Sequence, residues 1–174
     1  MLRLPVRSAR ALARAAALSA LLVPLAAVPV TPQSLPLEKV LPASLAAEAA
    51  NAAIDACQRQ GYRVSVALVD RSGVTRVLVR GDGAGPHTLD SSRRKAYTAA
   101  TFKAPTSRLT DNVNSNPAAV GLRDIHGVLL LAGGLPIQAG AEVVGAIGVG
   151  GAPGGNLDEA CAQAGIDRIK DRLN

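Results

Sequence analysis

Residues 63–103 read RVSVALVDRSGVTRVLVRGDGAGPHTLDSSRRKAYTAATFK, and the pattern of this stretch predicts a hairpin, a glycine-rich loop and a helix in that order. Its first part, Arg63–Asp70, alternates larger apolar residues with small ones, which predicts a strand. Asp70-Arg-Ser-Gly73 then places Asp first and Gly last, the preferred ends of a type I turn. Val74–Arg80 is therefore predicted to pair with the first strand as a hairpin.

The second part of the stretch predicts a glycine-rich loop followed by a helix. Thr88 or Asp90 can cap a helix that runs to about Lys103. Pro105 ends it, since the residue before a proline avoids the helical region. Lys95 lies on a helix face that is otherwise rich in Ala and Thr. Such a lysine points to a carboxylate or a ligand, or, more commonly, extends its charge to solvent.

Outside this stretch the chain continues to alternate helical and strand patterns. An Ala-rich run predicts a first helix at Ser44–Gln60, ended by Gly61. The other predicted elements are a short helix at Thr106–Val113, strands at Val128–Leu131, Leu135–Gln138 and Glu142–Val149, and a final helix at Leu157–Leu173 capped by Asn156. The order α-β-β-α-(α)-β-β-β-α predicts an α+β domain, in which helices pack on an antiparallel sheet.

The first 30 residues have the plan of a secretory signal peptide. Four arginines and no acid precede an apolar run at Ala15–Val30, which two prolines interrupt. A retained N-terminal anchor is the alternative, although the run is short for a membrane span. We therefore expect a signal peptide at 1–30, a leader at 31–43 and one domain at 44–174. The mature protein is expected in the periplasm or outside the cell, with no stable membrane anchor.

Charge and composition exclude one class of partner and favour self-association. The chain has 19 basic and 13 acidic residues; without the four arginines of the signal, 15 basic residues stand against 13 acidic ones, a net charge of +2. With aromatics at 2%, the chain offers neither a basic stripe nor a stacking platform for nucleic acid. The core is poor in large side chains, Arg76 and Arg80 share one strand face, and the C-terminal hairpin is apolar. These features predict a homo-oligomer.

Cys57 and Cys161 are predicted to form a disulfide between the first and last helices, because an exported protein enters an oxidising compartment. Two free buried thiols are the alternative. A metal pair is disfavoured, since neither cysteine has a Cys or His at ligand spacing.

The second glycine-rich stretch, Gly148–Gly155, precedes the final helix and reads GVGGAPGG. It is not a P-loop, because no Lys-Ser or Lys-Thr follows its last glycine, and Pro153 breaks the dinucleotide pattern. The chain also lacks a nucleophile elbow and a cluster of metal-ligating residues. The residues by themselves therefore indicate a ligand site more than an active site.

Six motifs in order resemble the GlcG/HbpS family, the haem-degrading domain family that includes the C-terminal domain of PduO-type corrinoid enzymes. The match spans about Ser44 to Asp167. The motifs are V-D-R-S-G-V at Val69–Val74, R-G-D-G-A at Arg80–Ala84, R-K-A-Y-T-A at Arg94–Ala99, P-T-S at Pro105–Ser107, G-G-L-P-I at Gly133–Ile137 and G-A-I-G-V-G-G-A-P-G-G at Gly145–Gly155. The resemblance implies a profilin-like fold with a five-stranded antiparallel sheet between helices, commonly assembled into oligomers, and it implies haem binding by exported members.

A haem site needs an iron ligand, and the mature chain offers His87, His126, Tyr62, Tyr97 and Lys95. His87 is the first choice, since it is the only histidine in the motif region, and Tyr97 is the second. A solvated surface histidine is the alternative for His87.

Haem is expected where the Gly81–Thr88 loop meets the loops at Gly133–Ile137 and Gly148–Gly155, in a shallow or intersubunit site. The full candidate set is Asp82, His87, Lys95, Tyr97, Thr98 and Gly134.

The residues and the resemblance together leave two functions open. The first is an exported haem-binding protein, without turnover or with slow oxidative breakdown of haem. The second is an enzyme or accessory module that acts on a small carboxylate metabolite at the same loops, with Lys95 and His87 as polar anchors.

Overall fold

A computed structural model describes residues 33–173 of the chain. The expected signal peptide at 1–30 lies outside the described residues, as do the first two residues of the leader. Residues 33–42 form no helix or strand, and every described helix and strand belongs to one compact unit, Leu37–Asn174. No helix within residues 33–173 is long and apolar enough to cross a bilayer.

The fold is a mixed α/β architecture in which helices pack on both faces of one antiparallel sheet, and the hairpin pattern predicts such a sheet. The strands are β1 (Ser65–Asp70), β2 (Thr75–Arg80), β3 (Gly134–Ala139) and β4 (Glu142–Gly150), in the spatial order β2-β1-β4-β3. The turn between β1 and β2 has the predicted ends: the Gly73 amide donates to the Asp70 carbonyl oxygen over 2.9 Å.

The helices are α1 (Ala43–Gln58), α2 (His87–Phe102), α3 (Thr106–Ser115) and α4 (Gly155–Ile169). A 3-10 helix spans Pro117–Asp124, and a single 3-10 turn, Lys170–Arg172, follows α4. Two expected caps are wrong: α2 begins at His87, before Thr88 and Asp90, and α4 begins at Gly155, before Asn156. No side chain caps either helix, because tight turns at Gly85 and Gly154 bring the chain directly into the first helical turn.

One face of the sheet carries α1 and α4 over the larger apolar core. Val66, Leu68 and Ile147 point into this core and are fully buried. Cys57 on α1 and Cys161 on α4 form the predicted disulfide, with their Cα atoms 5.5 Å apart. The bond is possible because both helices lie on the same side of the sheet.

The other face of the sheet carries α2, and small residues let it approach closely. Ala67 and Ala146 on the strands meet Ala96 and Ala99 on the helix, and all four are fully buried. A Cβ atom on Gly148 would overlap the carbonyl oxygen of Ser92, so only glycine permits this packing.

The described part of the chain has four strands, where five were expected, and Val128–Leu131 is the one that is not a strand. Two side chains of α2, and not a neighbouring strand, form hydrogen bonds with the backbone of this segment. The Leu129 amide donates to Thr98 Oγ1 over 2.9 Å, and Arg94 donates to the Val128 carbonyl oxygen over 2.6 Å. A short apolar run does not reveal such partners, because it fits a strand and a packed loop equally well.

The argument for assembly from an apolar C-terminal hairpin is also wrong. The apolar residues of the β3–β4 hairpin are buried within a single chain, with Ile137 and Ile147 fully covered. Exposed apolar side chains lie elsewhere among the described residues: Leu35, Leu37 and Val40 before α1, Val74 and Leu78 in the β1–β2 hairpin, and Val120, Ile125 and Leu131 between α3 and β3.

Candidate functional site

Three glycine-rich loops lie at one end of the sheet, as expected. Ser65 at the start of β1 pairs with Arg80 on one side and with Gly150 on the other, and Gly134 pairs with Gly148. The loops that follow β2 and β4 and precede β3 therefore share this end. Both α2 and α4 also begin here.

Short hydrogen bonds hold the Gly81–Thr88 loop against the sheet. Arg80 Nε donates to the Ala84 carbonyl oxygen over 2.8 Å, and Thr88 Oγ1 donates to the Gly85 carbonyl oxygen over 2.6 Å. The Thr88 and Ser65 hydroxyl oxygens lie 2.7 Å apart. His87 is exposed beside this loop, with its ring against Gly85; a Cβ atom added there would lie 2.7 Å from His87 Cε1. The fold thus places an accessible imidazole on an ordered support.

Asp82 borders a cleft of about 250 Å³ between the end of α1 and the hairpin. Tyr62 and Arg63 also line this cleft, and the Arg63 side chain packs against Gly83. The volume is just below the range of ~300–1,000 Å³ that is typical of small-molecule sites. A porphyrin at this end would therefore lie partly in the open.

Lys95 does not face solvent or an open site. Its ammonium group donates to Asp158 Oδ2 over 2.7 Å and to the Val149 carbonyl oxygen over 2.9 Å, and only 1% of the side chain is exposed. The sequence allowed a carboxylate partner or a ligand for this lysine, and the structure shows the carboxylate. Lys95 is therefore wrong as a free anchor for a carboxylate substrate.

Asp158, in the first turn of α4, links α2 to the Gly148–Gly155 loop. Its other oxygen, Oδ1, accepts from the Ala152 amide over 2.9 Å, so the carboxylate also fixes the Gly148–Gly155 loop. Burial raises the pKa of Asp158 above its usual value, while the Lys95 charge acts in the opposite direction. Gly133 lies against the pair, since a Cβ atom there would be 2.8 Å from Lys95 Nζ.

Thr98 and Gly134 also have structural partners. Thr98 Oγ1 donates to the Arg94 carbonyl oxygen over 2.8 Å while it accepts from Leu129, and the Gly134 amide donates to Thr106 Oγ1 over 2.9 Å. Both residues are buried. Lys95 and Thr98 therefore tie α2 to β4, α4 and the segment before β3, and Gly134 ties the start of β3 to α3.

Tyr97 lies apart from His87. Its half-buried ring is held between Gly73 of the β1–β2 turn and Gly127. His126, the other candidate histidine, is exposed and directly precedes Gly127. The structure therefore divides the six expected residues into an exposed pair, Asp82 and His87, a buried set of three, and Tyr97.

Sequence reasoning missed Asp158, Arg63 and Thr106. Only Asp158 had a signal, as an acid in the first turn of a helix that follows a glycine-rich loop. A lysine as deeply buried as Lys95 needs a carboxylate partner of this kind. Within residues 33–173 no group of three or more His, Cys, Asp or Glu side chains could hold a metal ion.

The sequence matches the family described as haem degrading protein HbpS-like over residues 41–167. The chain belongs to this family. A crystal structure of a double mutant of HbpS from Streptomyces reticuli superimposes with a TM-score of 0.73 at 47% identity, covering 82% of this chain and 97% of that one. This agreement confirms the family that the six motifs indicated.

A more distant solved structure shows the same architecture, and a curated relative matches part of the sequence. The PduOC:haem complex superimposes with a TM-score of 0.68 at 25% identity, over 75% of this chain and 96% of that one. An uncharacterized 15.0 kDa protein of Citrobacter freundii, encoded between dhaT and dhaS, is 34% identical over 90 residues. That alignment covers 51% of this chain and spans 63% of the relative's length.

Proposed function

We propose that this protein is exported and binds haem at the end of the sheet where the glycine-rich loops lie. The HbpS-like family and the haem complex of a structural neighbour support a haem-related function. The observation that carries the site is His87, an exposed imidazole at the first residue of α2, directly after a loop that hydrogen bonds hold in place. An imidazole is a common axial ligand of haem iron.

Cations around the same loop suit the two propionates of haem. Arg63 packs on Gly83 and Arg80 bonds to the Ala84 carbonyl oxygen, so both guanidinium groups lie beside the chain that leads to His87. Neither arginine makes an ion pair within the described residues. Their charges are therefore available to carboxylates of a ligand.

The small volume of the cleft favours an open haem site or one completed by a second subunit. A porphyrin bound against the loop would leave part of one face uncovered, because the cleft of about 250 Å³ takes only an edge of it. We therefore include a homo-oligomer in the proposal. Exposed Leu78 on the same strand as Arg76 and Arg80 gives a partner an apolar contact.

A titration of the purified mature protein with haemin tests the proposal. We expect a shifted Soret band with saturation, and His87→Ala should shift or abolish it, with at least a tenfold loss of affinity. His126→Ala is the matched control, because it removes the other exposed histidine, and it should leave the spectrum unchanged. Identical spectra and affinities for wild type and His87→Ala would remove His87 from the site.

The same samples separate binding from breakdown. Haem-loaded protein is incubated with oxygen and a reductant, and the Soret band and released ferrous iron are followed against free haemin. Slow loss that depends on the protein supports breakdown as a second property. Absence of loss leaves haem binding as the function.

A further inference from the structure

A second groove lies at the opposite end of α2 from His87, between the end of α2, the start of α3, strand β3 and the end of α4. Its volume is about 570 Å³. Lys103, Arg108 and Lys170 lie along it, and all three side chains are exposed. We call this surface the basic groove. No acidic residue lines it.

The three cations come from separate elements and converge without counter-charges. Lys103 follows α2, Arg108 belongs to α3, and Lys170 follows α4. None of them forms an ion pair with a carboxylate in the described part of the chain. Lys103 also has a φ of 52°, and it is the only described residue other than glycine with a positive φ. A lysine in this conformation is strained, so its position is set by the surrounding structure.

The groove between α1 and α4 provides a contrast on the same molecule. It is somewhat larger, about 720 Å³, and acidic side chains line it together with Arg59 and Arg168. There Glu48 neutralises two cations: its carboxylate oxygens lie 2.9 Å from Arg168 Nε and 2.6 Å from a guanidinium nitrogen of Arg172. The basic groove differs in that no acidic residue lines it, so its three positive charges are left for an anionic ligand.

Apolar side chains complete the basic groove and define the ligand further. Leu135 and Leu173 line it as nearly buried residues, with 7% and 9% exposure, and Ile166 is half-buried beside them. A site with an apolar wall and a few charged groups is typical of small amphipathic ligands. An inorganic anion would leave the apolar wall unused.

A peptide that adds a strand to the sheet is a poor occupant. β3 is an edge strand, and Pro136 in its middle has no amide hydrogen to donate. The Gly134 amide already donates to Thr106 Oγ1. The groove also holds no His, Cys, Met or Tyr, so it lacks the usual ligands of haem iron.

From these observations we propose that the basic groove binds an amphipathic carboxylate, a small molecule with an apolar body and at least one carboxylate group. The carboxylate lies among Lys103, Arg108 and Lys170, and the apolar body contacts Leu135, Ile166 and Leu173. This site is independent of the haem site and does not require His87.

Amide chemical shifts of the ¹⁵N-labelled mature protein give the test. Decanoate, kept below its micelle-forming concentration, is the probe, and citrate is the probe with charge and no apolar body. We expect decanoate to shift resonances at 103–108, 135–138 and 166–173 with saturation, and citrate to bind at least tenfold more weakly. Added salt should weaken decanoate binding, because Lys103, Arg108 and Lys170 are exposed and salt screens their charges.

Variants connect the shifts to the three cations. Lys103→Gln with Arg108→Gln should weaken decanoate at least tenfold, whereas Arg59→Gln in the groove between α1 and α4 should have no effect. His87→Ala should bind decanoate normally, so failure of the haem site leaves this result intact. Far-UV circular dichroism and the melting temperature establish that each variant is folded.

Three results would overturn the proposal. Shifts that fall outside the basic groove, or no shifts at millimolar decanoate, would remove the site. Equal affinity for citrate and decanoate would make it a site for any anion. Unchanged decanoate affinity in the Lys103 and Arg108 double variant would exclude these two cations as its ligands.

Discussion

At the residue scale, Lys95 places a positive charge in the interior, and Asp158 balances it at 2.7 Å. Lys95→Met should lower the free energy of unfolding by about 3–5 kcal/mol, because it leaves a buried carboxylate without its partner. The double variant Lys95→Met, Asp158→Leu should be more stable than either single variant, since it removes both charges. Denaturant-induced unfolding measures all four proteins.

Additive losses in that double variant would contradict a coupled ion pair. Each substitution would then act through packing alone, and the pairing of Lys95 with Asp158 would contribute nothing to stability.

The residue scale is also where sequence reasoning had its clearest limit. The pattern around Lys95 indicated a carboxylate or a ligand, and it could not choose, because Asp158 is 63 residues away. Burial decides the question, and burial depends on how α2 and α4 pack on the sheet. His87 differs, since its place at a helix start directly after a glycine-rich loop could be predicted from the local sequence.

At the element scale, Glu48 joins α1 to the C-terminal end of α4. Its hydrogen bond with Arg172 lowers the pKa of Glu48 below its usual value, and Arg168 adds to this effect. A folded-state pKa below the unfolded one stabilises the protein at neutral pH, and this stability is lost as pH falls through the folded pKa.

Glu48→Gln should therefore lower the melting temperature near pH 7 and have a smaller effect as the pH approaches 3. Asp55→Asn serves as the control, since it changes an exposed carboxylate on the same helix that forms no salt bridge within residues 33–173. A melting-temperature difference that is the same at both pH values would contradict the ion-pair explanation.

The elements themselves were largely predictable. Alternation identified β1 and β2, and glycine and proline identified where helices end. The segment Val128–Leu131 was not predictable as a loop, since its hydrogen-bond partners, Arg94 and Thr98, lie on a helix some thirty residues earlier.

At the scale of the whole molecule, the disulfide between Cys57 and Cys161 closes a loop of 104 residues. Replacing both cysteines with alanine should destabilise the fold by about 4.7 kcal/mol in the chain-entropy model. Denaturant unfolding measures the loss, and intact mass after alkylation, with and without reduction, tests for free thiols. Free thiols in protein isolated from an oxidising compartment would contradict the bond.

Assembly is the second expectation at this scale. Exposed Val120, Ile125 and Leu131 lie close together in sequence, outside the core, and a symmetric interface could cover them. Light scattering at low micromolar protein should give a mass several times that of one chain. A single-chain mass at those concentrations would rule assembly out.

The proline at the middle of β3 also limits how far strands of different molecules can polymerise. Pro136 has no amide hydrogen, and the Gly134 amide beside it is already bonded, so this edge of the sheet cannot template another strand. The opposite edge, at β2, has no proline. If two molecules pair along β2 through a twofold axis, the edges that remain are the two β3 strands, and Pro136 blocks both of them. Growth by strand pairing therefore stops at two molecules and does not continue into a fibre.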